Sequence, residues 1–366
     1  MKVCHHLLTV SPKGDWCQGQ QLPRTMTSKT QMQSVRGLAN VGNTCYLNSA
    51  VQALRHTRVF RELFGSDAWT RYKHPERRGH DLATAFAQTM QSFADTEKAV
   101  NPMSLVRAFI QVGQEFNDEI RFGAQADAAE AVQIIIDSLH TYLSREVRMD
   151  VTGTPRSREA EELINAHKSW IDFFRKEYSA FLDEFYGQTQ TCVTCDACKA
   201  RSVRYEPWCV LKVPIPGGDR VGAPAPTLQE CIAAAFDSEK LDDYSCDACK
   251  TRGPAVITHA ISKMPETVIL SLKRFTNAGA KVRARIPYDP DAVSFREHTA
   301  WPTIPMKSDY RVTATIEHMG SSRGGHYYMR QRVDDNWLVI DDASVHMSQN
   351  GGAAGPDTYM LFLSRR

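Results

Sequence analysis

The spacing of apolar residues changes character along the chain. From Thr44 to about Arg148 it is helical: Leu47, Val51 and Leu54 return at steps of four and three. The stretch ADAAEAVQIIIDSLHTYL places Val132, Ile135, Ile136, Leu139, Tyr142 and Leu143 on one stripe. Pro102 follows Asn101 and opens another apolar-periodic run, which predicts a helix start. EELINAHKSWIDFFRKEYSAFLDEFYG reads as one long amphipathic helix stopped by Gly187.

Beyond Gly187 the pattern becomes strand-like. VRYEPWCVLKVPIP and ETVILSLKRF are β-type runs bounded by Pro and Gly. Towards the C-terminus YRVTATIEH, GHYYMRQRV, NWLVIDD and TYMLFLS alternate with turns. PGGDRVGAPAP reads as a surface loop. A helical half followed by a strand-rich half predicts an α+β fold. Residues 1–35 carry no sustained period and read as a mobile tail.

Composition narrows the function classes. A chain of 366 residues, 42% hydrophobic and 23% charged, is globular and long enough for one large domain or two medium ones. Its 44 basic residues against 42 acidic ones leave a net charge of +2, which gives no support for a nucleic-acid partner. No apolar run approaches the ~18 residues that a membrane span needs. MKVCHHLLTVSPKGDW has an apolar patch broken by two histidines and does not read as a signal peptide. No membrane partner is expected.

Ten cysteines are present, and five of them, Cys192, Cys195, Cys198, Cys246 and Cys249, fall in C-x-x-C spacings. Without a secretory signal this favours metal binding in a reducing compartment, cytosol or nucleus. Cys195-Asp-Ala-Cys198 and Cys246-Asp-Ala-Cys249 supply four thiolates, the set for a tetrahedral structural zinc. Cys192-Val-Thr-Cys195 shares Cys195, so spacing alone leaves Cys192 and Cys198 as alternative ligands. Cys4, His5, His6 and Cys17 fit no common metal spacing.

Cys45 stands where a helix begins. There the helix dipole and free N–H groups favour a thiolate and lower its pKa. Gly42 and Asn43 allow the sharp turn into the helix, and Asn40 is placed to donate to an oxyanion beside the Cys45 amide. A thiolate nucleophile needs a base, and the base an orienter. Of twelve histidines, His326 has the right setting: it follows Gly324-Gly325 and opens a strand. Asp341-Asp342 ends the next strand, and a hairpin through VDDNW would bring positions 326 and 341 together. The order Cys, His, Asp is the papain-like one.

With these residues assembled, the chain resembles the ubiquitin-specific proteases, papain-like deubiquitinating enzymes. GLANVGNTCYLNSAVQAL matches the family's cysteine box at every fixed position, GGHYYMRQRVDDNWLVIDDASV its histidine box, and YSCDACK with AVITHAISKMPETVILSLKRF its second knuckle and the strand behind it. The resemblance spans about residues 36–366. It implies a papain-like α+β fold with a helical thumb (about 36–186), zinc-tipped β-fingers (about 187–212 and 240–262) and a β-rich palm. It implies Cys45 as nucleophile, His326 as general base, Asp341 as its orienter with Asp342 polarising the site or sharing that role, and Asn40 as oxyanion donor. Tyr327 would wall the channel for the substrate's Gly-Gly end.

FGAQADAAEAV resembles the family's Q-Q-D-A-x-E-F box at Gln125, Asp127, Ala128 and Glu130, with Ala126 and Ala131 departing. Asp127 and Glu130, at i and i+3 of the predicted helix, share a face and would pair with the arginines of ubiquitin's Arg-Leu-Arg-Gly-Gly tail. The family's knuckle spacing assigns Cys195, Cys198, Cys246 and Cys249 to one zinc and leaves Cys192 spare. His318 matches a structural strand histidine. The implied enzyme is a monomeric cysteine hydrolase acting on ubiquitin and ubiquitinated proteins. A protease for another ubiquitin-like modifier and a non-catalytic zinc-ribbon ubiquitin binder are the alternatives.

Overall fold

The computed structural model describes residues 35–366 except positions 75, 219–223, 277, 323, 350, 351 and 353. The expected N-terminal tail, with Cys4, His5, His6 and Cys17, lies outside the described residues apart from Val35. The helices come first in the chain: α1 (Cys45–Arg55), α2 (Arg58–Phe64), α3 (His80–Asp95), α4 (Met103–Gly113), α5 (Ala128–Leu143), α6 (Arg158–Phe174) and α7 (Ala180–Phe185), with α8 (Leu228–Ala234) set among the strands.

α1 is buried along its whole length, packed between α5 on one side and the second half's sheet on the other. Its polar residues therefore need internal partners. Gln52 donates to the Arg36 carbonyl at 2.8 Å and accepts from Arg55 at 2.7 Å. The Arg55 guanidinium then lies 4.0 Å over the Phe93 ring. α5 carries the expected apolar stripe, with all six of its predicted residues buried. Asn101 Oδ1 accepts the Met103 N–H at 3.0 Å and starts α4 where Pro102 predicts it.

The predicted long helix over residues 161–187 is instead two, α6 and α7. Between them Arg145 and Tyr178 exchange backbone hydrogen bonds, each 2.9 Å. That bridge pulls the chain out of helical register, and the Ser179 hydroxyl recaps it at the Phe181 N–H. Gly187 does not end a helix; it opens a strand. A Cβ there would lie 2.3 Å from the Trp208 indole, so the glycine is required by the ring packed on it.

Two sheets follow. The finger sheet is antiparallel, in the order β2 (Arg201–Trp208), β1 (Gly187–Cys195), β5 (Arg252–Lys263), β4 (Glu239–Ser245). The palm sheet runs β11 (Ser344–Met347), β10 (Asn336–Asp341), β9 (Gly324–Val333), β8 (Asp309–Ser321), β12 (Thr358–Arg365), β6 (Thr267–Leu272), β3 (Val210–Val213), with β7 (Val293–Ser294) on β8. β6 is buried at every position, because the sheet is covered on both faces. One core joins the helices to the palm, a second packs α8 and the 282–295 segment on the far face, and a small third gathers Met149, Trp170, Phe174, Tyr178 and Leu182.

Arg274 sits in this second half with no solvent exposure. Its guanidinium donates to the carbonyls of Val282 and Ala284, each at 2.9 Å, and to those of Thr358 and Gly355. One side chain thus gathers the loops around the end of β12. The expected order, helices then strands, is the observed one.

Gly187→Ala is expected to lower unfolding stability by about 1–3 kcal/mol through overpacking against Trp208. It should appear as a lower urea midpoint at unchanged slope. Gly253→Ala, with open space around its Cβ, is the control and should leave the midpoint near that of the native chain.

Candidate active site

The turn before α1 is built from local polar contacts. Gly42 (φ 125°) and Asn43 (φ 54°) both take the left-handed region, so the chain reverses sharply. Asn40 Oδ1 accepts the N–H groups of Gly42 at 3.1 Å and Thr44 at 3.2 Å, while Thr44 Oγ1 accepts that of Val41 at 3.1 Å. Thr44 occupies the N-cap position but turns its hydroxyl back into the loop. The first N–H groups of α1, those of Cys45 and Tyr46, therefore point at the Cys45 sulfur. A third comes from the backbone of Tyr327, next to His326.

Cys45 is 4% exposed. Burial pushes its thiol above the ordinary value, and the nearby Asp342 carboxylate adds to the rise. The three N–H groups pull in the other direction without offsetting it. The expectation of a lowered pKa is thus reversed in the free protein. The helix start is present, but desolvation of a buried anion outweighs it.

β9 and β10 form the predicted hairpin, paired from Asn336 opposite Val333 to Ile340 opposite Met329. At its open end His326 Nε2 lies 2.6 Å from Asp341 Oδ1. A neutral ring with its proton on Nε2 donates to that carboxylate and keeps the Nδ1 lone pair free. Asp342 follows in the left-handed region, φ 47°. Its two oxygens accept from Asn40 Nδ2 at 2.8 Å and Asn48 Nδ2 at 2.7 Å, and its carbonyl accepts the Leu38 N–H at 2.8 Å. Gly37 lies against the same turn: a Cβ there would be 2.3 Å from the Asp342 carbonyl oxygen.

Gln125 crosses from the helical half to the palm. Its Nε2 donates to the Gly325 carbonyl at 3.0 Å and its Oε1 accepts the Gly325 N–H at 3.2 Å. Gly325 is also pressed on β8, where a Cβ would meet the Met319 carbonyl at 2.2 Å and the His318 ring at 2.4 Å. His318 is buried and lies 4.5 Å from the Tyr327 ring; burial lowers its pKa to about 4, so it is neutral near pH 7.

Of the two carboxylates of the Gln125 segment, Asp127 stands just before the helix and Glu130 in its first turn. Asp127 is the N-cap of α5, its Oδ1 accepting the N–H groups of Ala129 at 2.8 Å and Glu130 at 3.1 Å. Its Oδ2 accepts the hydroxyls of Tyr359 at 2.7 Å and Tyr327 at 3.3 Å. Both oxygens are occupied from within the protein, and Tyr327 is 7% exposed. Glu130 accepts from Asn117 Nδ2 at 3.0 Å.

Sequence reasoning missed Asn48 and Tyr359. Asn48 lies one turn beyond Cys45, a buried amide in an otherwise buried helix, and that position was its only signal. Tyr359 gave none, since its partner is 232 residues away in the chain.

At the tip of the fingers the sulfurs of Cys195, Cys198, Cys246 and Cys249 lie within 4.8 Å of one another. Cys195 and Cys249 are 4.0 Å apart and Cys198 and Cys246 3.6 Å. A tetrahedral zinc at about 2.3 Å from each sulfur requires about 3.8 Å between sulfurs, so the set fits that ion. Both knuckles turn on a left-handed lysine, Lys199 (φ 59°) and Lys250 (φ 58°), each closed by an N–H to the carbonyl of the first cysteine. The Thr251 hydroxyl and amide draw the Cys249 thiol down to about 6. Cys192 stands outside the cluster, its sulfur 3.0 Å from Arg201 Nε.

The profile of a family described as ubiquitin carboxyl-terminal hydrolase matches residues 36–363. Ubiquitin carboxyl-terminal hydrolase 2 of Bos taurus is 27% identical over 349 residues, covering 92% of this chain and 56% of its own length. Ubiquitin carboxyl-terminal hydrolase 21 of Homo sapiens is 27% identical over 352 residues, 89% of this chain and 60% of that protein. The chain thus spans a little over half the length of these curated relatives. Among solved structures, the SAGA deubiquitinating module of Ubp8, Sgf11, Sus1 and Sgf73 bound to monoubiquitin gives a TM-score of 0.68 at 19% identity, covering 95% of this chain and 72% of that one. The same module bound to ubiquitin aldehyde gives 0.67 at 19%, covering 92% and 70%.

The raised Cys45 pKa sets a pH dependence. A thiol titrating above its ordinary value gains thiolate only at higher pH. Alkylation of Cys45 by iodoacetamide in the free protein, followed on the Cys45 peptide by mass spectrometry, is expected to keep accelerating through pH 9. A plateau near neutral pH would show that the helix start dominates after all.

Proposed function

The chain belongs to the ubiquitin carboxyl-terminal hydrolase family, and on that premise we propose that it is a thiol-dependent deubiquitinase, cleaving the isopeptide or peptide bond after the C-terminal glycine of ubiquitin. The observation that carries this reading is the His326–Asp341 contact of 2.6 Å at the end of the hairpin whose Tyr327 amide is directed at the Cys45 sulfur. Nucleophile, base and orienter are then carried by a helix and two adjacent strands.

In the reaction His326 Nδ1 takes the Cys45 proton and the sulfur attacks the glycine carbonyl carbon. The carbonyl π electrons move to oxygen, where the Cys45 N–H and the Asn40 amide stabilise them. Asp341 holds the imidazole and stabilises its charged form. The intermediate collapses, the lysine amine leaves with the proton from His326, and a thioester remains. Water, deprotonated by His326, hydrolyses it and restores the thiol. Because the free thiol is protonated, charge separation is completed when substrate fills the cleft and His326 accepts the proton.

Asn40 has one amide hydrogen on Asp342, so Asp342 is a positioning residue for the oxyanion donor. The Asp127 carboxylate, saturated by two N–H groups and two hydroxyls, holds the channel wall together. Recognition of the ubiquitin tail's arginines is left to Glu130, with Gln125 against the tail backbone. Cys195, Cys198, Cys246 and Cys249 would hold one zinc, which when bound cross-links the fingers. A thiol nucleophile and thiolate ligands are the support for a reducing compartment, cytosol or nucleus.

An electrophilic ubiquitin probe is expected to label native chain at Cys45 and to leave Cys45→Ala unlabelled. Labelling at Cys192, or labelling only by probes of other ubiquitin-like modifiers, would overturn the assignment; affinity without labelling would point to a binding module. Metal analysis should find about one zinc per chain, lost in Cys198→Ser and kept in Cys192→Ser. The reverse pattern would move the fourth ligand to Cys192.

A further inference from the structure

A cavity of about 380 Å³ lies where α6, the end of β5 and the 301–307 loop meet, on surfaces that the proposed chemistry does not use. Its volume falls within the roughly 300–1,000 Å³ range of small-molecule sites. The charged side chains that line it are Lys263, Lys307 and Arg365, with His167 beside them, and no carboxylate lines it.

Two nearby acids are already engaged. Glu159 accepts from Thr303, and Glu162 accepts from Arg158, Arg201 and the Trp301 indole N–H. Arg365 is tied to Glu266 at 2.6 Å and to the carbonyls of Met264 and Pro265 at 2.7 Å. Lys263 differs. Its Nζ stands 4.7 Å over the Trp170 ring and has no hydrogen-bond acceptor or ion-pair partner among the described residues. Asp183 and Glu266 act on it only at longer range, and burial disfavours its charge. A half-buried ammonium without such a partner favours an anion. The remaining walls are apolar, with Leu163, Ile304 and Met306 among them.

We propose that this cavity binds a small organic anion, an aryl or short-chain carboxylate or sulfonate. Its charged group pairs with Lys263 and its body lies between Leu163, Ile304 and Met306. Charge complementarity at Lys263 selects the anion, and the apolar walls select against inorganic ions, which carry no body to fill them. Because the walls come from the thumb, the fingers and the palm, an occupant joins all three.

The test uses naphthalene-1-sulfonate titrated calorimetrically into the full chain, with naphthalene-1-methanol as the neutral counterpart. One saturable site is expected for the sulfonate. A charge-assisted contact of about 1.5–3 kcal/mol predicts at least about tenfold weaker binding by the neutral compound and by Lys263→Met, which keeps the stem packing. Ile304→Trp fills the cavity while keeping Lys263 and should abolish binding. Unfolding midpoints report whether each variant folds; if one does not, the comparison of charged and neutral compounds on the native chain still decides. Absence of saturable binding, equal affinity for both compounds, or native affinity in both folded variants would overturn the proposal.

Discussion

The turn at Asp342 is the constraint on which the site depends. One carboxylate receives Asn40 from the loop before α1 and Asn48 from within it, and the same residue's carbonyl receives Leu38. Three contacts therefore lock the segment from Leu38 to Asn48 to the last third of the chain. Asp341 beside it holds His326. The residue that docks the cysteine helix and the residue that aims the histidine are neighbours, so helix and hairpin have little freedom to slide apart. Gly37 permits the approach, since any Cβ there would run into the Asp342 carbonyl.

Burial controls the chemistry within that frame. α1 is enclosed on all sides, which gives its N-terminus a rigid mounting but desolvates the thiol it carries. The N–H groups aimed at the sulfur are arranged for a thiolate that the free site does not favour. Such preorganised donors gain most where negative charge develops, in a space from which water is excluded. The Gln125 clasp on Gly325 and the Asp127 contacts to two tyrosines close thumb and palm from the other side. Asp127 is in this setting a joint between α5 and the palm sheet.

Local signals were legible wherever a short stretch decided the outcome. The α1 and α5 stripes, the Asn101-Pro102 helix start and the β9–β10 hairpin each follow from residues within a few positions of one another. The misreadings had distant causes. The 161–187 helix breaks because Arg145 pairs with Tyr178. Gly187 is a glycine because Trp208 covers it, where periodicity suggested a helix stop. Asp127 caps α5 with one oxygen, and its second oxygen is held by Tyr359 and Tyr327, far away in the chain.

Sequence by itself determined the α+β order and the residue types at the site: a cysteine at a helix start, a histidine and two acids at a strand end, and two C-x-x-C knuckles. These are fixed by local periodicity and by the chemistry each side chain can perform. Tertiary structure decided which nitrogen of His326 faces Asp341, that Cys198 and not Cys192 joins the sulfur cluster, and that the Cys45 thiol is raised and not lowered. The reason is the same in each case. Hydrogen-bond direction, sulfur separation and desolvation depend on where distant segments come to rest, and no spacing along the chain records that.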